Sequence, residues 1–232
     1  MTAESTNGTS AAAATPRTKI CVFCGASPGK KPEYIEAARA LARAMAAKNI
    51  DLVYGGGTVG LMGEVAKTLC ELNGPDAVHG IIPEALVKWE RDGTYATVNA
   101  DGRYVPDETK YGRTTVVPDM HTRKKLMAEE VFAGGPGSGF VGLPGGFGTM
   151  EELFEVITWN QLGIHSKGIV LLNVNDYWRG MLDLIDTAVD QGFIRDANKS
   201  IVLAAQDGDE AIAMLRDYKV SSAIYGLEWG KQ

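Results

Sequence analysis

Short apolar runs alternate along the chain with longer segments in which apolar residues recur at helical spacing. The apolar runs predict β-strands at about 19–24, 50–54, 77–82, 114–117, 139–143, 168–173 and 201–204. The helically spaced segments predict six α-helices. One lies at about 32–48, one ends near 73, one lies at 119–132, one follows 149, and two lie at 176–191 and 208–218. Strands and helices that alternate at these spacings are typical of a doubly wound parallel sheet with right-handed crossovers. The predicted fold class is therefore α/β.

These predicted elements fall into a single domain at about 19–220. Residues 1–18 are rich in Ser, Thr, Ala and Gly without apolar periodicity, which indicates a disordered tail. Periodicity fails again in an insertion at about 88–113, and a loop this long inside a compact domain is usually functional or disordered. We expect residues 221–232 to form a C-terminal tail.

Composition and charge narrow the class of protein. The 232 residues are 45% hydrophobic and 22% charged, as in ordinary soluble globular proteins. The net charge of −6 argues against nonspecific binding of nucleic acid or of an acidic membrane surface, so an anion site has to be built locally. No apolar run approaches the roughly 18 residues of a membrane span, and the N-terminus has no apolar stretch typical of a signal peptide. We therefore expect a cytoplasmic protein.

The chemically most informative stretch is Leu143–Glu155, LPGGFGTMEELFE, in which a predicted strand runs into a glycine loop and a helix. A loop with three glycines can turn its backbone N–H groups towards a ligand, and next to a helix N-terminus it suits an anion, most often phosphate. Thr149 stands where a helix N-cap is expected, with Glu152 three residues further on, as in a capping box.

Spacing alone leaves two interpretations of Glu152 open. One face of the predicted helix carries Met150, Leu153, Phe154 and Ile157. Glu152 lies on the opposite face with Val156 and Trp159, so we expect that second face to be covered as well, and the active unit to be a dimer. The carboxylate is either a helix cap or a partly desolvated group one turn from a phosphate loop, placed to act as a base or to stabilise positive charge.

Two other glycine-rich turns follow predicted strands. GGGTVGLMG at 55–63 has GxGxxG spacing, which fits either a dinucleotide site or a second wall of a mononucleotide cleft. Its position in the second βα turn rather than the first favours the cleft. The turn at 25–29 resembles a P-loop only superficially, because Lys30 is followed by Lys31 instead of Ser or Thr.

Basic residues and cysteines supply the remaining candidates. Arg123, Lys124 and Lys125 form the densest positive charge of the chain, which is either a solvated helix face or part of a site at the same sheet edge. Cys21 lies inside an apolar strand with Cys24 at its end, so reduced core thiols are favoured over a redox pair. The three histidines are too scattered to complete a zinc-ligand pattern, and no metal is predicted.

Four segments together resemble one family. They are GGGTVGLMG (55–63), MHTRKKLM (120–127), PGGFGTMEE (144–152) and TWNQLGIHSK (158–167). The pattern resembles the Lonely Guy family, cytokinin riboside 5′-monophosphate phosphoribohydrolases that are often mislabelled as lysine decarboxylases, over about residues 19–195. The resemblance implies a Rossmann-like homodimer with active sites at the subunit interface. It also implies cleavage of the N-glycosidic bond of a nucleoside 5′-monophosphate, without a cofactor, to free base and ribose 5-phosphate.

The resemblance implies roles for individual residues. Arg123 and Glu152 match the catalytic pair. Nucleotide contacts are implied at Lys124, Gly145, Gly146, Phe147, Gly148, Thr149, Met150, Glu151 and Thr158. Glu90 matches a further substrate contact, in a segment where the insertion departs from the family's shorter pattern. Gly56 and Gly57 of the second glycine loop are assigned to the same cleft.

The residue types suit this chemistry. Cleavage of a ribosyl C–N bond passes through an oxocarbenium-like state, which needs negative charge near the sugar and a placed water. Glu152 can supply both, and Arg123, always protonated, can orient it and stabilise charge. Three alternatives stay open. The first is a general AMP or nucleoside monophosphate nucleosidase, which would use the same residues, and the second is a noncatalytic nucleotide or molybdenum-cofactor carrier, which would not need the Arg–Glu pair. The third and last is a lysine decarboxylase. The last requires a Schiff-base lysine for pyridoxal phosphate, which nothing in the sequence marks.

Overall fold

The computed structural model describes residues 15–87, 97–98, 102–227 and 229. The described strands are β1 (Lys19–Phe23), β2 (Asp51–Tyr54), β3 (Val78–Pro83), β4 (Thr97–Val98), β5 (Tyr104–Val105), β6 (Arg113–Val117), β7 (Gly139–Gly142), β8 (Gly168–Leu172) and β9 (Val202–Ala205). The described helices are α1 (Pro32–Ala47), α2 (Gly60–Asn73), α3 (Glu84–Val87), α4 (Glu108–Tyr111), α5 (Met120–Phe132), α6 (Phe147–Gln161), α7 (Arg179–Asp190) and α8 (Gly208–Asp217). None of these helices is long and apolar enough to cross a membrane.

Seven strands form one parallel sheet in the order β6-β3-β2-β1-β7-β8-β9. Strands such as β8, with the sequence GIVLL, are buried throughout because helices cover both faces of the sheet. The predicted α/β class with a doubly wound parallel sheet is confirmed.

The helices divide between the two faces of this sheet. Helices α1, α2 and α8 pack on one face, and α5 and α6 pack on the other. The chain changes face between two neighbouring strands: β1 leads into α1 on the first face, and β7 leads into α6 on the second. The loops that follow β1 and β7 therefore diverge, and they leave a crevice at the carboxyl ends of the two strands, where open α/β sheets bind ligands.

The prediction that Thr149 caps the helix after the glycine loop is wrong. Helix α6 begins at Phe147, and its N-cap is Gly146, which has no side chain to bond the first turn. Thr149 is the third helical residue and is buried. Glu152 lies six residues after the N-cap, too far along the helix to complete a capping box.

The expectation that the face of α6 with Glu152 and Val156 is covered is confirmed, but the expected position of Phe154 on the covered apolar face is wrong. Val156 is buried in the core of its own chain, so that face needs no partner to cover it. Leu153 is fully buried as well, but Phe154, expected on the same apolar face, is 41% exposed. Helix α6 turns Thr149, Glu152, Leu153, Val156 and Asn160 towards the core, and the unpartnered apolar surface is the one around Phe154.

Two other segments differ in detail from the prediction. Helix α7 begins at Arg179 instead of 176, because Asn175 and Asp176 adopt left-handed backbone conformations with φ of 52° and 55°, which an α-helix cannot contain. Residues 88–96 and 99–101 of the predicted insertion lie outside the described part of the chain; within it, β4 pairs antiparallel with β5, and Asp107 caps α4. Trp229, in the predicted C-terminal tail, donates to the carbonyl of Leu162 at 3.1 Å.

Candidate active site

A cavity of about 470 Å³ lies in the crevice between the carboxyl ends of β1 and β7. The loops after these strands form its floor, and the first turns of α2, α5 and α6 form its walls. The lining residues are Cys24, Gly25, Ala26, Ser27, Pro28, Gly29, Tyr34, Leu61, Met62, Met120, Arg123, Pro144, Gly145, Gly146, Gly148, Thr149, Glu151, Glu152 and Tyr177. The topology of the sheet thus places the glycine loop that follows β7 in a cleft.

The two loops of the floor are bonded to each other. Leu143 donates its N–H to the carbonyl of Phe23 at 2.9 Å, and Gly25 donates to the carbonyl of Pro144 at 3.0 Å. Gly145 packs so closely that a Cβ placed there would lie 2.1 Å from Oγ1 of Thr149 and 2.9 Å from the backbone nitrogen of Gly25. Only glycine fits at this position, so the close approach of the two loops depends on it.

The amino end of α6 opens onto the cavity without a side-chain cap. The first helical N–H groups, those of Phe147, Gly148 and Thr149, have no acceptor within the helix, and Gly146 provides none. Helix α5, by contrast, is capped by Asp119, whose carboxylate accepts from the N–H of Thr122 at 2.8 Å. Uncapped N–H groups and the positive end of the helix dipole make the start of α6 suitable for an anion.

Arg123 and Glu152 meet inside this cavity, as the resemblance implied. Nη2 of Arg123 lies 3.3 Å from Oε1 of Glu152, and their side chains are only 8% and 9% exposed. Nε of Arg123 and Oε1 of Glu152 have no hydrogen-bond partner among the described residues. The guanidinium lies against Gly55, where a Cβ would be 2.0 Å from Nη2, so this glycine makes room for the arginine.

Burial dominates the electrostatics of Glu152. Desolvation raises the pKa of its carboxyl to about 7, although the neighbouring Arg123 guanidinium lowers it and Glu151 raises it. An incomplete ion pair explains why the arginine does not hold the pKa low: the two groups are close, but they form no well-aligned hydrogen bond. Glu152 is therefore poised to gain or lose a proton near neutral pH.

Lys124 is oriented away from this pair. Its ammonium contacts Glu151 and lies 3.0 Å from a carboxylate oxygen of Glu155, and its side chain is 12% exposed. Both carboxylates raise the pKa of Lys124 against the lowering effect of burial, which is the largest single influence. Lys124 does not line the cavity, so its implied contact with the nucleotide stays a prediction.

Other implied contact residues lie outside the cavity wall. Phe147 is 89% exposed, and Thr158 is exposed on the same outer side of α6, about three turns away. Met150 is half-buried beside the core, and Gly56 and Gly57 are buried behind the wall that Leu61 and Met62 form. Glu90 lies outside the described residues. Substrate contacts of these residues stay predictions.

The structure also adds residues that the sequence analysis did not assign to the site. The first βα turn, Gly25–Gly29, forms part of the floor although its sequence is a poor P-loop. Met120, Tyr34 and Tyr177 complete the wall. The turn is identifiable only once β1 is known to be the neighbour of β7, whereas Tyr177 carries no local sequence signal at all.

The thiols are packed as predicted. Cys21 and Cys24 are buried and unbridged. Burial raises the pKa of both thiols, so neither is a ready thiolate at neutral pH. Within the described ranges, no group of three or more His, Cys, Asp or Glu side chains is arranged to hold a metal ion.

The sheet order, and the cleft between β1 and β7 where the chain changes face, define a Rossmann-like α/β protein. The chain belongs to the family described as "Possible lysine decarboxylase", whose model matches residues 62–215. It is 45% identical over 201 residues to a cytokinin riboside 5′-monophosphate phosphoribohydrolase of Arabidopsis thaliana, with 87% of this chain and 82% of that protein covered. Family membership therefore rests on most of the domain.

Two further comparisons concern length and fold. The bifunctional cytokinin biosynthesis protein of Fusarium pseudograminearum is 49% identical over 212 residues, which cover 90% of this chain but only 42% of that protein, so the chain spans less than half of this relative. The molybdenum cofactor carrier protein of Chlamydomonas reinhardtii has a similar structure, with a TM-score of 0.59, 18% identity, and coverage of 87% of this chain and 97% of that one. At this identity the likeness shows the fold alone.

Proposed function

We propose that this protein hydrolyses the N-glycosidic bond of cytokinin riboside 5′-monophosphates, N6-substituted forms of AMP, to give the free base and ribose 5-phosphate. The observation that carries the proposal is that one helix supplies both parts of the site. The first turn of α6 presents uncapped N–H groups to the cavity, and its second turn presents the buried Glu152. The Arabidopsis relative, 45% identical, is named for this activity.

In the proposed complex the 5′-phosphate binds at the start of α6, against the glycines of the loop. The ribose then extends along the helix towards Glu152, since one helical turn rises by about 5.4 Å, roughly the span from a 5′-phosphate to the sugar ring. Binding of the phosphate contributes energy that positions the sugar, although the phosphate itself does not react.

Glu152 acts at the sugar in its ionised form. As the C1′–N bond breaks, positive charge develops on the ribose, and a carboxylate in a poorly solvated cavity stabilises it strongly. The same carboxylate accepts a proton from the water whose oxygen forms the new bond to C1′. The nitrogen of the departing base takes up a proton from solvent, and Glu152 returns its proton to solvent, so that one water is consumed in each turnover. Arg123 orients Glu152 and, as a permanent cation, attracts the substrate's negative charge.

The cavity suits N-glycosidic hydrolysis better than it suits the lysine decarboxylation that the family's description suggests. A pyridoxal phosphate-dependent decarboxylase needs a lysine at its reacting centre. The described residues that line the cavity include no lysine, and the nearby Lys124 is held by Glu151 and Glu155. The buried residue at the centre is instead a carboxylate.

Comparison of a matched pair of substrates tests the proposed function. We expect isopentenyladenosine 5′-monophosphate to be cleaved, and isopentenyladenosine, which lacks the phosphate, to have a kcat/KM lower by roughly 10³-fold, since remote binding energy of this kind is several kcal/mol. Release of the free base, followed by chromatography, measures both rates. Equal kcat/KM for the two compounds would show that the phosphate does not help to position the substrate, which would contradict the proposal.

The pH dependence follows from the raised pKa of Glu152. Because the carboxyl has to be ionised to act, we expect kcat/KM to fall as pH drops below about 7, approaching tenfold per pH unit. The second ionisation of the phosphate, near pH 6, titrates in a neighbouring range, so the affinity for AMP should be measured across the same pH values as a control. A rate that stays constant down to pH 5 would contradict the assigned role.

We also propose that the active unit is a homodimer formed through the outer side of α6. Phe147 and Phe154 are 89% and 41% exposed there, and Met120, beside the cavity, is 40% exposed. Met120 lines the cavity, and Phe147 lies between the lining glycines Gly146 and Gly148, so a second copy packed on this side of α6 would lie close to the cavity. Thr158, an implied nucleotide contact outside this chain's own cavity, lies on the same side of α6 and would then be close to a partner's site.

Replacement of Phe154 tests the dimer. We expect Phe154→Asp to give monomers with little activity, because it places a charge at the centre of an apolar contact. Phe193→Asp is the matched control, since Phe193 is 87% exposed but follows α7 at a distance from the cavity. Light scattering gives the mass of each variant. A fully active, monomeric Phe154→Asp protein would show that the site is complete in one chain.

A further inference from the structure

A tyrosine that the mechanism has not used contacts the glycine loop directly. The hydroxyl of Tyr177 donates a hydrogen bond to the carbonyl oxygen of Gly145, and its ring lines the cavity. The next residue, Trp178, donates its Nε1–H to the carbonyl of Gly142 at 3.1 Å. Two adjacent side chains after β8 therefore hold carbonyl groups at the end of β7 and in the loop that follows it.

The backbone that carries Tyr177 is held in an unfavourable conformation. Asn175 and Asp176 are consecutive residues with φ of 52° and 55°, in the left-handed region that residues other than glycine seldom adopt. Asn173 compensates: it is buried, its Oδ1 accepts from the N–H of Trp178 at 2.8 Å, and its Nδ2 donates to Asp176 at 3.2 Å. This turn places the side chain of Tyr177 next to the loop that follows the adjacent strand, β7.

The ring of Tyr177 is fixed from two sides. It makes edge-to-face contacts with Trp178, at 5.0 Å between ring centroids, and with Tyr34 of α1, at 6.0 Å. Trp178 is 2% exposed, so it forms a rigid support. A tyrosine held in this way can keep its hydroxyl on one acceptor without a large loss of side-chain freedom when the site is occupied.

We infer that Tyr177 is a positioning residue for the phosphate site, an inference that rests on the proposed function. The peptide group between Gly145 and Gly146 is planar and trans, so a bond that holds its oxygen also fixes the direction of the opposite N–H, that of Gly146. Gly146 is the N-cap of α6 and lines the cavity. The glycines leave this loop free to adopt many conformations, and the hydroxyl of Tyr177 selects one of them before the phosphate arrives.

Tyr177→Phe tests the inference, because it keeps the ring contacts and removes only the hydroxyl. We expect the affinity for ribose 5-phosphate, measured by calorimetric titration, to fall about 5- to 10-fold, the effect of one hydrogen bond that pre-orders a site. KM for isopentenyladenosine 5′-monophosphate should rise by a similar factor with little change in kcat, and the slow cleavage of the riboside should fall by a much smaller factor. Tyr218→Phe, which removes a hydroxyl that donates to Asn160 at 3.3 Å outside the cavity, is the matched control.

The outcomes separate this inference from the proposed function. Weaker binding of ribose 5-phosphate by Tyr177→Phe than by Tyr218→Phe supports a positioning role even if no substrate is cleaved, because the titration needs no turnover. Unchanged affinity overturns it. Equal loss of activity on the riboside and on the monophosphate, together with a lower melting temperature, also overturns it, since that result describes a general structural role.

Discussion

Glu152→Gln should lower the rate of base release by roughly 10²-fold or more, about 3 kcal/mol of transition-state stabilisation, with a much smaller change in the dissociation constant for AMP. Glutamine keeps the size of the side chain but has no negative charge to place beside the developing cation. In the proposed complex the phosphate binds at the start of α6, several residues before Glu152, so binding should be retained. A base-release assay and calorimetric titration with AMP measure the two effects separately.

The stability of the same variant provides an independent check. The folded-state pKa of Glu152, about 7, is above the ordinary value of 4.5, so the carboxyl's contribution to stability is fully present below pH 4.5 and is lost as pH rises through 7. Glu152→Gln should therefore be more stable than the wild type at pH 8, by up to about 3 kcal/mol, and similar to it at pH 4.

Glu155→Gln is the matched control for catalysis. Glu155 is the next carboxylate along α6, and it pairs with Lys124 outside the cavity. It should lose little activity. If Glu152→Gln turned over as fast as Glu155→Gln in a folded protein, the buried carboxylate would have only a structural role.

Gly145→Ala should weaken nucleotide binding strongly and reduce kcat/KM by roughly 10²-fold or more. A methyl group there would overlap Thr149, at 2.1 Å from Oγ1, and would press on the backbone of Gly25 at 2.9 Å, so the two loops of the cavity floor would have to separate. A shift of about 1 Å at a site that positions a substrate is enough for a loss of this size.

Gly148→Ala is the corresponding control in the same loop. A Cβ at Gly148 meets nothing within 4 Å, and alanine is favoured over glycine inside a helix by about 0.5–1 kcal/mol. We expect this variant to melt at a higher temperature and to bind AMP far better than Gly145→Ala. Loss of AMP binding in both variants, with normal folding, would mean that a methyl group anywhere in the loop prevents binding. The close contact between the two loops would then not be the reason for the loss in Gly145→Ala.

Much of the fold could be predicted from hydrophobic periodicity alone. The strands of the parallel sheet read as apolar runs because both faces are covered, so the alternation of elements is visible along the sequence. The pairing of Arg123 with Glu152, by contrast, depended on resemblance to a family. No local pattern shows that the start of α5 and the second turn of α6 meet over Gly55.

The predictions that failed depended on tertiary structure. Thr149 resembles an N-cap, but the N-cap is Gly146, which has no capping side chain, so α6 begins three residues earlier than its polar residues suggest. The sequence pattern correctly predicts that the face with Glu152 is covered, but it also places Phe154 beside Leu153, and the packing of α6 on the sheet buries Leu153 and leaves Phe154 exposed. The roles of Gly25–Gly29 and Tyr177 require the strand order, which the sequence does not encode locally.

The most direct test of the central claim identifies the bond that breaks. Purified protein is incubated with isopentenyladenosine 5′-monophosphate in ¹⁸O-labelled water, and the products are analysed by mass spectrometry. Hydrolysis at C1′ predicts isopentenyladenine without label and ribose 5-phosphate that carries ¹⁸O, formed in equal amounts and more than 10²-fold more slowly by Glu152→Gln. Isopentenyladenosine together with labelled inorganic phosphate would contradict this account, because it would mean that the group at the start of α6 is the one that reacts.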